Sequence, residues 1–339
     1  MVRSRGATRC DRHGRVGRTN GSGMIPLSIG CLFSDRIEAL LDGRVQISDA
    51  TTTIHCVEAQ TLFRQVLREQ AYDVAELSMG SHIAAVAAGR RDYVALPVFL
   101  SRSFRHGNLY VRTDRGIDRP EDLAGKRIGL VDYQQTAALW LRGILADDHG
   151  VARTSIDWIT AGLHAPVLTD RAPGAMPPGI RVTRSPATLD AMLADGTLDA
   201  VISPTTPRCV RHPSAPVAPL WPDARATEMA WFGRTGIFPI MHLVVVRRRL
   251  VEANPALYDA LVAAFEQALA FALDDLAARD FPKVAMPWLK RAAADAAGAT
   301  GPVWRYGVEA NRGTLERMLR YAVADGLATE ALALEGLFT

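Results

Sequence analysis

From Met24 onward short apolar runs alternate with amphipathic stretches, an order that few architectures accept. Leu27–Cys31, Tyr72–Leu77 and Val94–Phe99 have the length and apolar content of strands. Between them, Gln60–Glu69 places Leu62, Phe63, Val66 and Leu67 on one helical face, and Ser78 stands where it would cap a helix over 78–88. Strand followed by helix, repeated, predicts a mostly parallel α/β sheet with helices on both faces.

A second set follows. Gly107–Arg112 reads as extended, Lys126–Val131 as a strand, and Gln135–Asp147 as a helix carrying Trp140, Leu141, Ile144 and Leu145. Ile180–Thr183, Ala187–Ala194 and Leu198–Ser203 continue as strand, helix and strand, and the proline-bearing stretches 162–179 and 204–222 read as irregular. Ile237–Val246 is extended again, and Pro255–Leu276 and Thr314–Val323 are amphipathic helices. A chain of 339 residues exceeds one compact core. The expected architecture is two α/β lobes joined by a double crossover, with a cleft between them. Lobe one takes residues 24–112 and 238–339, and lobe two takes 113–237. Ligands of open α/β sheets sit beyond the carboxyl ends of the strands, where helix N-termini offer unpaired N–H groups.

Charge narrows the partners. Residues 1–23 hold six arginines against Asp11, leaving the body with 33 bases and 35 acids. A slightly acidic body argues against nucleic acid. The Arg-rich stretch 1–23 reads as a disordered leader, and it lacks the apolar run of a secretory signal. The longest apolar stretch, 236–246, is too short to span a membrane. A cytoplasmic location without membrane attachment is expected, with a homo-oligomer left open. Cys10, Cys31, Cys56 and Cys209 fit no zinc or redox spacing, and the eight histidines are scattered, so no metal and no cofactor are expected.

Five segments together resemble the 4,5-dihydroxyphthalate decarboxylase family: Asp73–Ser81 (DVAELSMGS), Pro97–His106 (PVFLSRSFRH), Gly125–Gly129 (GKRIG), Gly236–His242 (GIFPIMH) and Tyr306–Arg312 (YGVEANR). The resemblance runs from about residue 27 to residue 325. It implies a type II periplasmic-binding-protein-like fold. It also implies decarboxylation of 4,5-dihydroxyphthalate, or a close aromatic acid, to protocatechuate and CO2 in phthalate breakdown. The chain departs from the family after Ser203-Pro204, where the first arginine is displaced to Arg208. A solute-binding protein that captures an aromatic carboxylate for a transporter or sensor is the alternative, because a fold alone does not specify activity.

A small aromatic mono- or dicarboxylate needs planar cationic partners, and loss of CO2 from a ring needs a proton delivered to the carbon that held it. Arg102 is the expected clamp, with His106 and His242 as acid and base and Arg105 directed elsewhere. Ser78 and Ser81 at one helix start, and Tyr133, Gln134 and Thr136 at another, are the expected anion-binding turns, with Thr205 beside them. His82 is a weaker candidate, and Glu76 reads either as a base or as a structural acceptor.

Overall fold

The structure, a computed structural model, describes residues 23–166 and 178–338 apart from 213, 279–282, 303 and 329–331. The Arg-rich segment and most of the first proline-bearing loop therefore lie outside the described residues. The strands are β1 (Ile25–Cys31), β2 (Ala50–Cys56), β3 (Val74–Ser78), β4 (Tyr93–Arg102), β5 (Leu109–Arg112), β6 (Arg127–Leu130), β7 (Asp157–Thr160), β8 (Arg181–Arg184), β9 (Ala200–Ile202), β10 (Val217–Pro219) and β11 (Ile240–Arg247). The helices are α1 (Asp35–Leu41), α2 (Ala59–Arg64, continued by a π-helical turn over Gln65–Glu69), α3 (Met79–Ala87), α4 (Thr136–His149), α5 (Leu189–Asp195), α6 (Ala224–Thr235), α7 (Arg248–Ala253), α8 (Ala256–Ala278), α9 (Leu289–Thr300) and α10 (Arg312–Ala324).

Two sheets form, in the orders β2-β1-β3-β11-β4 and β10-β5-β9-β6-β7-β8. In the first, β1, β2 and β3 run parallel, and β11 is antiparallel to both β3 and β4. The chain leaves this sheet after β4, builds the second sheet, and returns as β11 between β3 and β4. That is the double crossover of a two-lobed α/β fold. One boundary moves. Residues 24–112 were expected in lobe one, whereas β5 pairs with β9 through Leu109–Ile202, Tyr110–Val201 and Val111–Ala200. All four β5 residues are buried in the second sheet, so the first crossover spans 103–108.

Helix α4 sits between the lobes, and every residue from Thr136 to Leu145 is buried. Its Trp140 Nε1 donates to the Ile240 carbonyl of β11 at 2.9 Å. A Cβ at Gly143 would overlap the Tyr321 ring of α10, so this glycine is required by close approach rather than by its φ angle. The fully buried Arg142 pairs with the fully buried Asp325, at the C-terminal end of α10, at 2.6 Å, and Arg153 pairs with the same carboxylate. A lobe-two helix is thus fastened to the end of α10.

Helix α8, expected over Pro255–Leu276, is by length and composition long and apolar enough to cross a membrane over Ala256–Ala277, a span that the length of the uninterrupted apolar runs did not reveal. Leu257, Leu261, Ala264, Phe265, Ala268 and Leu269 are buried in the main core. Their spacing of three and four residues marks one packed face.

Candidate functional site

The carboxyl end of the first sheet brings an acid and a histidine together. Glu76 lies within β3, where Val74–Ser78 is buried throughout. His242 lies near the start of β11, paired in register with Ser78. The His242 Nδ1–H donates to Glu76 Oε1 at 2.7 Å. The other carboxylate oxygen, Oε2, accepts from the Leu32 backbone N–H, just past β1, at 3.0 Å. With both oxygens held, the carboxylate is a fixed acceptor, which resolves the two readings of Glu76 toward support of the imidazole. Nε2 of His242 has no hydrogen-bond partner among the described residues. Phe63 of α2 meets the imidazole edge-on at 4.9 Å between ring centroids. Phe33, next to Leu32, is 72% exposed.

Three more groups flank this pair. Cys31 ends β1 with a buried thiol, whose pKa burial raises well above the usual range, aided by the nearby Glu76 charge. Tyr306 is buried, and its hydroxyl has no hydrogen-bond partner among the described residues. Burial raises its pKa too, while Arg36 opposes the rise. Arg36 lies 4.6 Å from the centroid of the Trp304 ring and donates through Nε to the Leu100 carbonyl.

The two arginines of the S-R-S-F-R-H phrase exchange their expected places. Arg102, 7% exposed, donates to Asn311 Oδ1 at 2.8 Å and to the Phe238 carbonyl at 2.6 Å. Its guanidinium fastens β4 to the C-terminal segment, which is not the geometry of a carboxylate clamp. Arg105 lies on the crossover between the lobes. It donates through Nε to Met241 Sδ and through NH1 to Asn108 Oδ1, each at 3.0 Å. Met241 adjoins His242, and Asn108 accepts the Ser203 N–H from the end of β9 at 2.9 Å. Arg105 therefore stands where both sheets end. Burial lowers its pKa to about 10, with Glu228 opposing, so it remains cationic at neutral pH.

The expected histidine pair is not assembled. His106 is 1% exposed, between Trp221 and Trp231 at centroid distances of 5.2 and 5.5 Å. Asp148 and His149, at the far end of α4, are among its electrostatic neighbours, with Arg234. Thr136, which touches Ser78, begins that helix, and the helical rise separates the two ends by roughly 18 Å. Burial lowers the His106 pKa to about 4, with Asp148 opposing and His149 and Arg234 reinforcing. His82 is likewise structural. It is paired through Nε2 with the Leu337 carbonyl at 2.9 Å, and burial lowers its pKa to about 4.

The helix starts meet each other. Ser78 makes no side-chain cap. Its Oγ lies 2.8 Å from Thr136 Oγ1, which also accepts the Gly80 N–H at 3.0 Å. A Cβ at Gly80 would lie 2.6 Å from the Gln134 carbonyl, so the lobes touch backbone to backbone here. Ser81 Oγ and the Tyr133 hydroxyl are buried without partners among the described residues. The Tyr133 ring lies under the Arg142 guanidinium at 3.8 Å. Gln134 N–H bonds Asp132 Oδ1 at 2.8 Å. Thr205 is exposed in a turn closed by Ser203 Oγ. Of the expected contacts, Ser78, Ser81, Gln134 and Thr136 gather where the lobes meet, and Tyr133 adjoins them. Thr205 stands apart in its turn. Among the described residues no cluster of three or more His, Cys, Asp or Glu has the arrangement to hold a metal ion.

Two lobes, a double crossover and polar groups at the facing strand ends define the class of the cleft-forming, small-molecule-binding α/β proteins. A family model described as the periplasmic substrate-binding protein of phosphonate ABC transporters matches residues 35–169. The putative periplasmic sulfonate-binding protein SsuA of Methylobacillus flagellatus KT superposes with a TM-score of 0.56 at 14% identity, covering 94% of this chain and 92% of that one. The fold is thus of the periplasmic-binding-protein kind. At the level of sequence, the chain is 37% identical over 317 residues to the 4,5-dihydroxyphthalate decarboxylase of Comamonas testosteroni, covering 93% of this chain and 96% of the relative. It is 39% identical over 163 residues to the protein of that name from Pseudomonas putida, covering 48% and 63%. The chain belongs to the 4,5-dihydroxyphthalate decarboxylase family.

Proposed function

We propose that the protein is a carboxy-lyase that converts 4,5-dihydroxyphthalate, or a close aromatic acid, to protocatechuate and CO2. Membership of the family supports the substrate class. The observation that carries the chemistry is the Glu76 carboxylate on His242 Nδ1, which leaves Nε2 as the proton-bearing position. In this reading the Nε2–H of the imidazolium is delivered to the ring carbon bearing one carboxylate, and Glu76 stabilises the charge before transfer. The ring hydroxyl para to that carbon shares the positive charge of the protonated ring. Cleavage of the carbon–carboxylate bond then returns its electron pair to the ring and releases CO2. One proton enters and one CO2 leaves, after which solvent reprotonates the imidazole. Arg105 would pair with the carboxylate that stays, a planar fork suited to it. Phe33 and Phe63 would supply apolar faces for the ring.

The family model and the two-lobed fold favour a second reading, capture of an aromatic acid without turnover. Purified protein given 4,5-dihydroxyphthalate, with and without a chelator, separates the two. Formation of protocatechuate with matching CO2 is expected. Calorimetric binding without product would sink the lyase reading and leave capture, and loss of turnover with the chelator would show that a metal takes part.

A further inference from the structure

Cys31 and Cys56 are the last residues of β1 and β2, adjacent parallel strands, and are partners in register. Adjacent strands lie about 4.8 Å apart and register partners project from the same sheet face. A disulfide spans Cα separations of about 4.4–6.8 Å. The pair is asymmetric. Cys31 is buried and Cys56 is exposed, and neither belongs to a disulfide. Strand β2 is the edge of its sheet, so its end has neighbours on one side only. Cys31 is also next to Leu32, whose N–H holds Glu76 Oε2 at 3.0 Å.

We propose that Cys31 and Cys56 are a hydroperoxide-oxidisable dithiol whose disulfide disturbs the support of Glu76. The exposed Cys56 thiolate attacks the peroxide O–O bond, forming Cys56 sulfenic acid and releasing hydroxide, which becomes water with the thiol proton. The Cys31 sulfur then attacks the sulfenic sulfur, forms the S–S bond and expels a second water. In balance, two thiols and one hydrogen peroxide give one disulfide and two waters. Drawing Cys31 toward the edge strand shifts the Leu32 amide away from the carboxylate that orients His242. The burial that raises the Cys31 pKa suits it to the second, resolving step rather than the first.

The test uses the full reduced chain, treated with stoichiometric hydrogen peroxide, alkylated, digested and mapped by mass spectrometry. A linked Cys31–Cys56 peptide that dithiothreitol reverses is expected, with Cys209, buried in the other lobe, still alkylatable after denaturation. Cys31 recovered as an alkylated thiol while Cys56 is over-oxidised or joined elsewhere would overturn the pair. The coupling to the site rests on the lyase reading. Turnover of 4,5-dihydroxyphthalate should fall about tenfold on oxidation and recover with dithiothreitol, whereas Cys56→Ser should keep full turnover in both states. A linked pair with unchanged turnover would overturn the coupling. A chain without turnover in either state would refute the lyase reading, while the map would still decide the thiol pair.

Discussion

At the scale of the residue, the acid–histidine pair and the hinge arginine make separable predictions. His242→Ala should lower turnover by about 100-fold or more while leaving calorimetric binding of the acid nearly intact. Glu76→Gln should cost about 10- to 100-fold in turnover, the worth of a hydrogen bond to a charged group. Arg105→Ala should act mainly on affinity, and unchanged binding would remove it from the site. The buried histidines predict a pH effect on stability. His82 and His106 both have folded pKa values lowered from 6.5 to about 4 by burial, so below 6.5 the unfolded chain binds the more protons. Their contribution is complete above pH 6.5 and is lost as the pH falls toward 4, by about 3 kcal/mol for each group. Thermal midpoints of the wild type and of His106→Phe, taken from pH 7 to pH 4, check this: the variant's midpoint should fall less steeply. His242 was legible through its place in the family phrase GIFPIMH, whereas the apolar run around it taken alone reads as a core position. Arg102 ranked above Arg105 because spacing along a chain does not say which guanidinium meets Asn311, more than two hundred positions away.

At the scale of the element, apolar periodicity found the buried strands and the helices with one clear face. It passed over β2, whose ATTTIHC is mostly exposed at a sheet edge, and α6, whose one buried residue is Trp231. Neither has a strong apolar stripe, because each is covered on one side at most. Periodicity also cannot see which elements meet. The helix starts at Ser78 and Gln135 were expected to line the cleft as anion-binding turns, yet they touch each other and share the Thr136 hydroxyl. The packing of α4 on α10 is equally invisible in sequence, where Gly143 is an unremarkable glycine inside a helix. Gly143→Ala should destabilise the protein by about 1–3 kcal/mol in a denaturant titration, although alanine is the better helix former. A stabilised variant would show that Tyr321 moves aside freely.

At the scale of the whole molecule, the two-lobed plan and the family were legible because they depend on the order of elements and on phrases spread along the chain. The closeness of the lobes was not legible, since it depends on Arg142, Arg153 and Asp325, which no local pattern links. Asp325→Ala leaves Arg142 buried without its carboxylate and should destabilise the protein by about 3–5 kcal/mol. Urea unfolding monitored at tryptophan would measure it, and a loss under 1 kcal/mol would show that water replaces the carboxylate. The same ion pair orders events at the ribosome. The second lobe is synthesised in the middle of the chain, but the countercharge for its buried arginine follows 183 positions later, with the residues that end α10. Until those residues emerge, α4 must hold Arg142 in water or remain loosely docked. The lobe made second is therefore completed only after the helix that carries its countercharge has been made.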